Sequence, residues 1–419
     1  MREIFFNVKT FIILWLGQLF SSVGSGMTYF TLTLWVWQKT ESATAVALIL
    51  VFHQLPQGII TLLSGILIDR TSRKQLLIIS DTGSAFCTIS VGVLAYLGIL
   101  QLWHIYLIAS IIGCFGNIQS LTYSTLIPLI LPEKYHTRAS SLVSVIIYGA
   151  GIVSPVLAGV LFPLIGLLGM TLIDMVTFSI ALISVLIISI PHTINSNQEN
   201  PNHLDNLTFG FRYLYSHPDL LKMIIMVSLF SFFNDIGETL YQPMILAKTN
   251  GNSQILGLVV AGGGIGGVVG GMIISIWGGF KQRSRGILTG FFGSGLSMLI
   301  LGLISIPSLW MITRFAWLFF HPLMMSSYMA IWYSKTTPEI QGRVLATDYL
   351  IGIVVTTCAS LTAGILGDRA TLIFDRVFET LIKSPFSLTS GNGMGLFIGI
   401  SAIIIILLSF VASKFKLDN

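Results

Sequence analysis

Gly65-Ile66-Leu67-Ile68-Asp69-Arg70-Thr71-Ser72-Arg73-Lys74 packs four charges into six residues between two apolar runs, roughly Thr44–Ile68 and Leu76–Leu100. Each run is long enough to cross the ~30 Å core of a bilayer. The chain is 54% hydrophobic and 9% charged, so charge is used sparingly. A cluster of it between two such runs reads as a tight polar turn at a membrane face. Gly65 lets neighbouring helices approach closely. Asp69, at a helix end, can accept a charge-assisted bond and face the positive N-terminus of another helix. Arg70, Arg73 and Lys74 hold the turn at the face. The bland alternative is charge anchoring alone.

Composition supports this setting. A mean hydropathy of +0.86 over 419 residues excludes an ordinary soluble domain, because such domains carry about 25% charged residues. Forty-one glycines suit helices that pack through small residues in lipid. The net charge of +5 is spread over loops, which argues against a nucleic-acid partner. Cys87, Cys114 and Cys358 all lie in apolar runs and read as small core residues, neither a disulfide framework nor a metal site. The apolar run from Phe11 to about Trp37 exceeds the roughly 7–15 residues of a signal-peptide core, so it reads as a first transmembrane helix.

Working outward from the charged turn gives twelve spans, at about 11–36, 44–68, 76–99, 103–127, 140–163, 168–190, 220–246, 254–278, 286–306, 309–334, 344–367 and 394–413. The expected fold is an all-α membrane protein of two six-helix halves, 1–190 and 220–419. They are joined by a polar linker, 191–219, in which Leu204, Leu207, Phe211, Leu214 and Tyr215 recur at amphipathic helical spacing. A second polar insertion, 368–393, separates spans 11 and 12. With both termini in the cytoplasm, sixteen of the 22 Lys and Arg fall inside and five outside, Lys39, Lys248, Arg369, Arg376 and Lys383, while Arg314 lies within span 10. That is the positive-inside pattern. Gly278-Gly-Phe-Lys-Gln-Arg-Ser-Arg-Gly286 occupies in the second half the place of Gly65–Lys74 in the first, keeping the basic charge and losing the Asp.

The pattern G-x-x-x-D-R-x-x-R-K at 65–74 resembles the loop between helices 2 and 3 of major facilitator superfamily transporters. Span 5 carries Ala150-Gly-Ile-Val-Ser154-Pro155-Val-Leu-Ala158-Gly159. It resembles the G-x-x-x-G-P-x-x-G-G antiporter motif of exporters in that superfamily, with Pro155 and Gly159 matching outright and small residues at the other positions. Trp15-Leu-Gly-Gln18, Ile127-Pro128, Leu131-Pro132 and Gly342-Arg343-Val344 extend the likeness to the macrolide-efflux branch of the drug–proton antiporters. It covers 10–415 apart from the second insertion. The resemblance implies two halves that rock about a central site. It also implies the 65–74 motif as a cytoplasmic latch with Asp348 near its partner, and export of amphiphilic small molecules from a bacterial inner membrane, coupled to protons. Many relatives carry an Arg in helix 4. Here that span reads Ile111-Ile-Gly113-Cys-Phe-Gly116, so any proton route runs elsewhere.

Carboxylates inside a span cost about 2.5–3.5 kcal/mol each at the helix centre, which makes each a functional candidate. Asp235 and Glu238 in span 7 are three residues apart and share a helix face beside Asn234. They are the proposed coupling pair, with Arg314 as an expected partner or an outward-snorkelling cation. Asp174 reads as a helix-end residue and Asp81 as a partner for Arg73 or Lys74. Substrate contacts are expected at Gln18, His53, Gln119, Tyr123, Phe232, Tyr241 and Trp317, because aromatic walls with few polar anchors suit apolar ligands.

Gly262-Gly-Gly264-Ile-Gly-Gly267 spells a dinucleotide fingerprint, yet it lies in an apolar run with no acidic ribose partner after it. It reads instead as two packing stripes, 262/266/270 and 263/267/271. There is no P-loop, His-Glu-x-x-His or Cys-x-x-Cys in the sequence, and no cofactor or enzyme activity is expected. The rival readings are export of a siderophore or peptide metabolite, a lysophospholipid flippase, or a transport-dead scaffold.

Overall fold

The structure is a computed structural model that describes residues 2–132, 135–188, 203–381 and 391–412. It gives only the backbone path at 2–7, 62–70, 128, 137, 140, 203–208, 338–339, 342, 370–381 and 412. Its elements are α1 (Arg2–Thr40), α2 (Ala43–Arg70), α3 (Arg73–Tyr96), α4 (Leu102–Ile130), α5 (His136–Ile187) and α6 (His203–Ser216). They continue with α7 (Pro218–Lys248), α8 (Ser253–Trp277), α9 (Arg283–Leu303), α10 (Pro307–Lys335), α11 (Pro338–Leu381) and α12 (Asn392–Ala412).

Local chemistry sets many of these ends. Ser72 starts α3 by accepting from the Gln75 amide at 3.3 Å, and the Asn252 side chain starts α8 by accepting from the Gln254 and Ile255 amides at 3.0 and 3.1 Å. Gly278, at φ 81°, stops α8 in the left-handed conformation that glycine takes without strain. Pro218 and Pro307 open α7 and α10, where a missing N–H costs nothing.

α5 is two spans in one element. Gly166, at φ 63° and ψ −172°, breaks it in a conformation essentially confined to glycine, three residues after Pro163. Among the described residues ten helices are long and apolar enough to cross a membrane, and Ser141–Ile187 counts once among them. Separating the arms of α5 and adding α10, which carries Arg314 and His321, gives the twelve spans read from the sequence. Exposed apolar side chains such as Ile276 (88%), Leu164 (75%) and Phe86 (70%) give the helices a lipid-compatible exterior.

The second insertion begins as helix: α11 continues through Leu381, so its first part, 368–381, is a polar continuation of the helix that carries span 11. The charges Asp368, Arg369, Asp375 and Arg376 lower hydropathy there and end the apolar run without ending the helix. Leu372, Ile373, Val377 and Phe378 keep a helical spacing. In the linker, α6 covers 203–216, while 191–202 lies outside the described residues.

The chain divides into two compact units, Met1–Lys39 with Leu48–Gln198, and Thr40–Ala47 with Glu199–Asn419. In unit 1, α1 lies against both arms of α5 through glycines: Gly17 faces Ser184, Gly24 faces Thr177 and Asp174, and Gly26 faces Ser154. Lys74 donates to the carbonyls of Leu186 (3.0 Å) and Ile188 (2.6 Å), completing the end of the second arm. In unit 2, Gly262, Gly266 and Gly270 seat α8 on the backbone of α10 at Met311, Phe315 and Phe319. The parallel stripe packs at Gly263, whereas Gly271 faces open space. α6 rests on α11, with Gly210 over Thr347, the Tyr213 hydroxyl donating to the Lys335 carbonyl at 3.0 Å, and the Arg343 guanidinium 5.5 Å from the Phe209 ring.

Candidate functional site

Unit 2 gathers the coupling candidates around one cation. Arg314, on α10, is 4% exposed. Its two terminal nitrogens donate to the two Glu238 oxygens at 2.6 and 2.7 Å, a bidentate pair. Its guanidinium sits 4.2 Å from the Tyr241 ring centre and 4.6 Å from that of Trp317, so two aromatic faces share the charge. The Trp317 indole donates to Asn234 at 2.8 Å. Asp235, one residue on, accepts from the Thr356 hydroxyl at 2.7 Å and from the Asn234 amide at 3.3 Å. Glu238 thus has a counter-charge, while the bonds to Asp235 come from neutral donors. Phe232 packs edge-on against Phe233, next to this group on α7. Asp348 accepts from the Tyr328 hydroxyl at 2.5 Å.

Unit 1 holds a cavity of about 140 Å³ whose lining includes Tyr29, His53, Asp81, Gln119, Asp174 and Phe178. Asp81 is 2% exposed and accepts from Gln18 at 3.5 Å and from Gln119, which also donates to Gln18 at 3.0 Å. Asp174 is 3% exposed and accepts from Ser25 at 3.2 Å and Thr88 at 3.0 Å. No Lys or Arg is among the lining residues. A buried carboxylate on neutral donors needs either a proton or an external cation to balance it.

This corrects the sequence reading of both acids. Asp81 does not pair with Arg73 or Lys74: Arg73 donates to Thr125 at 3.3 Å, and Lys74 closes the end of α5. Asp174 is no helix-end residue, because it lies eight residues past the break at Gly166. Asp81 likewise lies eight residues into α3, which begins at Arg73 rather than Leu76. At 1.5 Å per residue both reach ~12 Å from their helix starts.

The other expected residues fall as follows. Gln18, His53 and Gln119 belong to or border the unit 1 cavity. Tyr123, 6% exposed, is packed in the core with Leu14, Leu77 and Leu126. Tyr241 and Trp317 wall the Arg314 pair. Ala150, Ser154, Pro155 and Gly159 are all buried, and the Ser154 hydroxyl donates to the Val23 carbonyl of α1 at 2.9 Å. Of the turn motif, the packing around Gly65 and the side chains of Asp69 and Arg70 lie outside what the structure describes.

The sequence model of the transmembrane secretion effector family matches residues 5–377. Macrolide efflux protein A of Streptococcus pyogenes is 22% identical over 362 residues, covering 86% of this chain and 89% of that protein. The protein of the same name from Enterococcus faecalis is 23% identical over 295 residues, 70% of this chain and 91% of that one. Among solved structures, a bacterial homologue of the human lysosomal transporter Spinster, in an inward-facing and unoccupied conformation, superposes with a TM-score of 0.70 at 14% identity over 97% of both chains. That likeness shows the fold.

Proposed function

Since the chain belongs to the transmembrane secretion effector family and is a multi-pass transporter of the major facilitator type, we propose that it exports amphiphilic small molecules such as macrolides in exchange for protons. The observation that carries the reading is the unit 1 cavity, enclosed by apolar helices, with apolar and aromatic walls and two carboxylates held by neutral donors. At about 140 Å³ the chamber takes one polar or cationic group of such a molecule with its apolar neighbours, and its acids can trade that group for a proton.

Asp235 is the second proton-exchanging group. Its neighbour Glu238 is occupied by Arg314, so Asp235 is the acid of that pair left to change its protonation. Inward passage of one proton through ~100 mV releases about 2.3 kcal/mol, enough to bias alternation between two faces. The names of the relatives support the substrate class.

The test is accumulation of a labelled macrolide in cells with and without the protein. Accumulation falls when the protein is present. A protonophore returns it to the level of cells lacking the protein, and Asp235→Asn does the same without the protonophore. Efflux that persists through both treatments removes the proton from the mechanism, and equal accumulation with and without the protein removes the macrolide.

A further inference from the structure

The C-terminal part of α11 contains Gly364-Ile365-Leu366-Gly367-Asp368-Arg369, and α2 ends on Gly65-Ile66-Leu67-Ile68-Asp69-Arg70. Five of the six positions are identical, although the two segments lie three hundred residues apart. In unit 2 the bonds made by the second copy are visible. The Asp368 carboxylate accepts from the Ser42 hydroxyl at 2.7 Å, the Ala43 amide at 2.6 Å and the Thr44 amide at 3.2 Å. Those amides are free at the start of α2, so a carboxylate from another helix satisfies them and meets the positive end of the α2 dipole.

The seam beneath is made of small residues. A Cβ on Gly364 would stand 2.8 Å from the Thr44 Cα, and one on Gly367 would stand 2.9 Å from the Ala43 Cβ. Ala43 and Ala47 are 0% and 2% exposed. No large side chain of the α2 turn interlocks with these glycines, so the surfaces can part without a side chain being dragged across. The first turn of α2, up to Ala47, clusters with unit 2, whereas the helix from Leu48 onward clusters with unit 1.

We propose that Asp368 is a positioning residue of the transport cycle: it clamps the first turn of α2 to the end of α11 in this conformation, and the clamp releases when the path opens at that end. The proposal rests on the reading of the chain as a transporter. A static cap would make the same three bonds, so the experiment has to see release.

Spin labels on Glu41→Cys and Arg369→Cys, two exposed positions of unit 2 beside the Ser42–Asp368 contact, report its opening by pulsed electron resonance in liposomes. The background has Cys87, Cys114 and Cys358 replaced by Ser. The full chain gives mainly the short distance with a minor longer one. Asp368→Asn enlarges the longer population by about tenfold, the scale expected for bonds to a charged acceptor. Ser42→Ala, which removes one donor and leaves the acid in place, enlarges it by a smaller factor. An Ala43→Cys/Gly367→Cys disulfide stops macrolide efflux in cells, and reductant restores it.

Unchanged distance distributions in both variants overturn the clamp, as does full efflux by the disulfide-bonded protein. The distance measurement needs no substrate. A chain that exports no macrolide therefore counts against the proposed function, while the distances still decide the clamp.

Discussion

Glu238 and Arg314 lie three spans apart in the sequence and form one bidentate pair in the fold. Their pairing was one of two readings open for Arg314, because a long side chain near a helix end can also snorkel. The pair predicts an asymmetric response. Breaking a fully buried ion pair costs about 3–5 kcal/mol because the remaining charge is stranded. Glu238 keeps 28% of its side chain exposed, so Glu238→Gln should cost about 2 kcal/mol, a screened version of that loss. Glu238→Leu combined with Arg314→Met removes both charges and should return close to the parent stability. Unfolding in detergent micelles measures all three proteins, and a double variant no better than the single one would refute the pairing argument. Asp81 and Asp174 were harder to read. Hydropathy begins a span after its flanking charges, but α3 begins at Arg73 because Ser72 caps it there. Moving the helix start back three residues carries Asp81 almost a full turn deeper, from a face-side acid to a cavity acid.

At the scale of elements, glycine spacing was the most informative signal. The stripe 262/266/270 meets the α10 backbone as its four-residue period required. Its neighbour 263/267/271 shares the period and fades to open space at Gly271, a distinction that depends on where α10 lies and cannot be read from one helix. A Cβ at Gly266 would run into the Phe315 carbonyl, a backbone atom that cannot rotate away. Gly266→Ala should therefore cost about 1–3 kcal/mol through forced separation of α8 and α10. Gly271→Ala, with no atom within 4 Å of the added carbon, should stabilise the chain by about 0.4–1 kcal/mol by restricting the unfolded state. Thermal unfolding of the two variants side by side checks the order, and equal losses would mean the two stripes are equivalent. The extension of α11 to Leu381 shows the opposite limit: charge marks the end of the apolar run and says nothing of where the helix stops.

For the molecule as a whole, the number of crossings fixes which ends share a compartment, and charge fixes which compartment it is. α8 has 25 residues, about 37 Å at 1.5 Å per residue, which exceeds the ~30 Å apolar core. A helix of that length and composition is expected to cross, with its two ends on opposite sides. Gln254 is exposed in its first turn, and Lys281 is exposed just beyond its C-terminus. Lys281, Arg283 and Arg285 gather at the second end, so the positive-inside rule predicts that end in the cytoplasm and Gln254 outside. In a background without the native cysteines, an impermeant maleimide added to intact cells should label Gln254→Cys and spare Lys281→Cys until the membrane is opened. The reverse pattern would invert the whole topology, and labelling of both from outside would show that α8 does not cross. The same assignment puts the end of α11 that carries Asp368 on the outer side, four crossings from Gln254 with an odd number of turns between. The two copies of the repeated hexapeptide would then stand at opposite membrane faces. One ends α2 and the other the apolar part of α11, so on this topology the same short sequence would terminate an apolar run at each face.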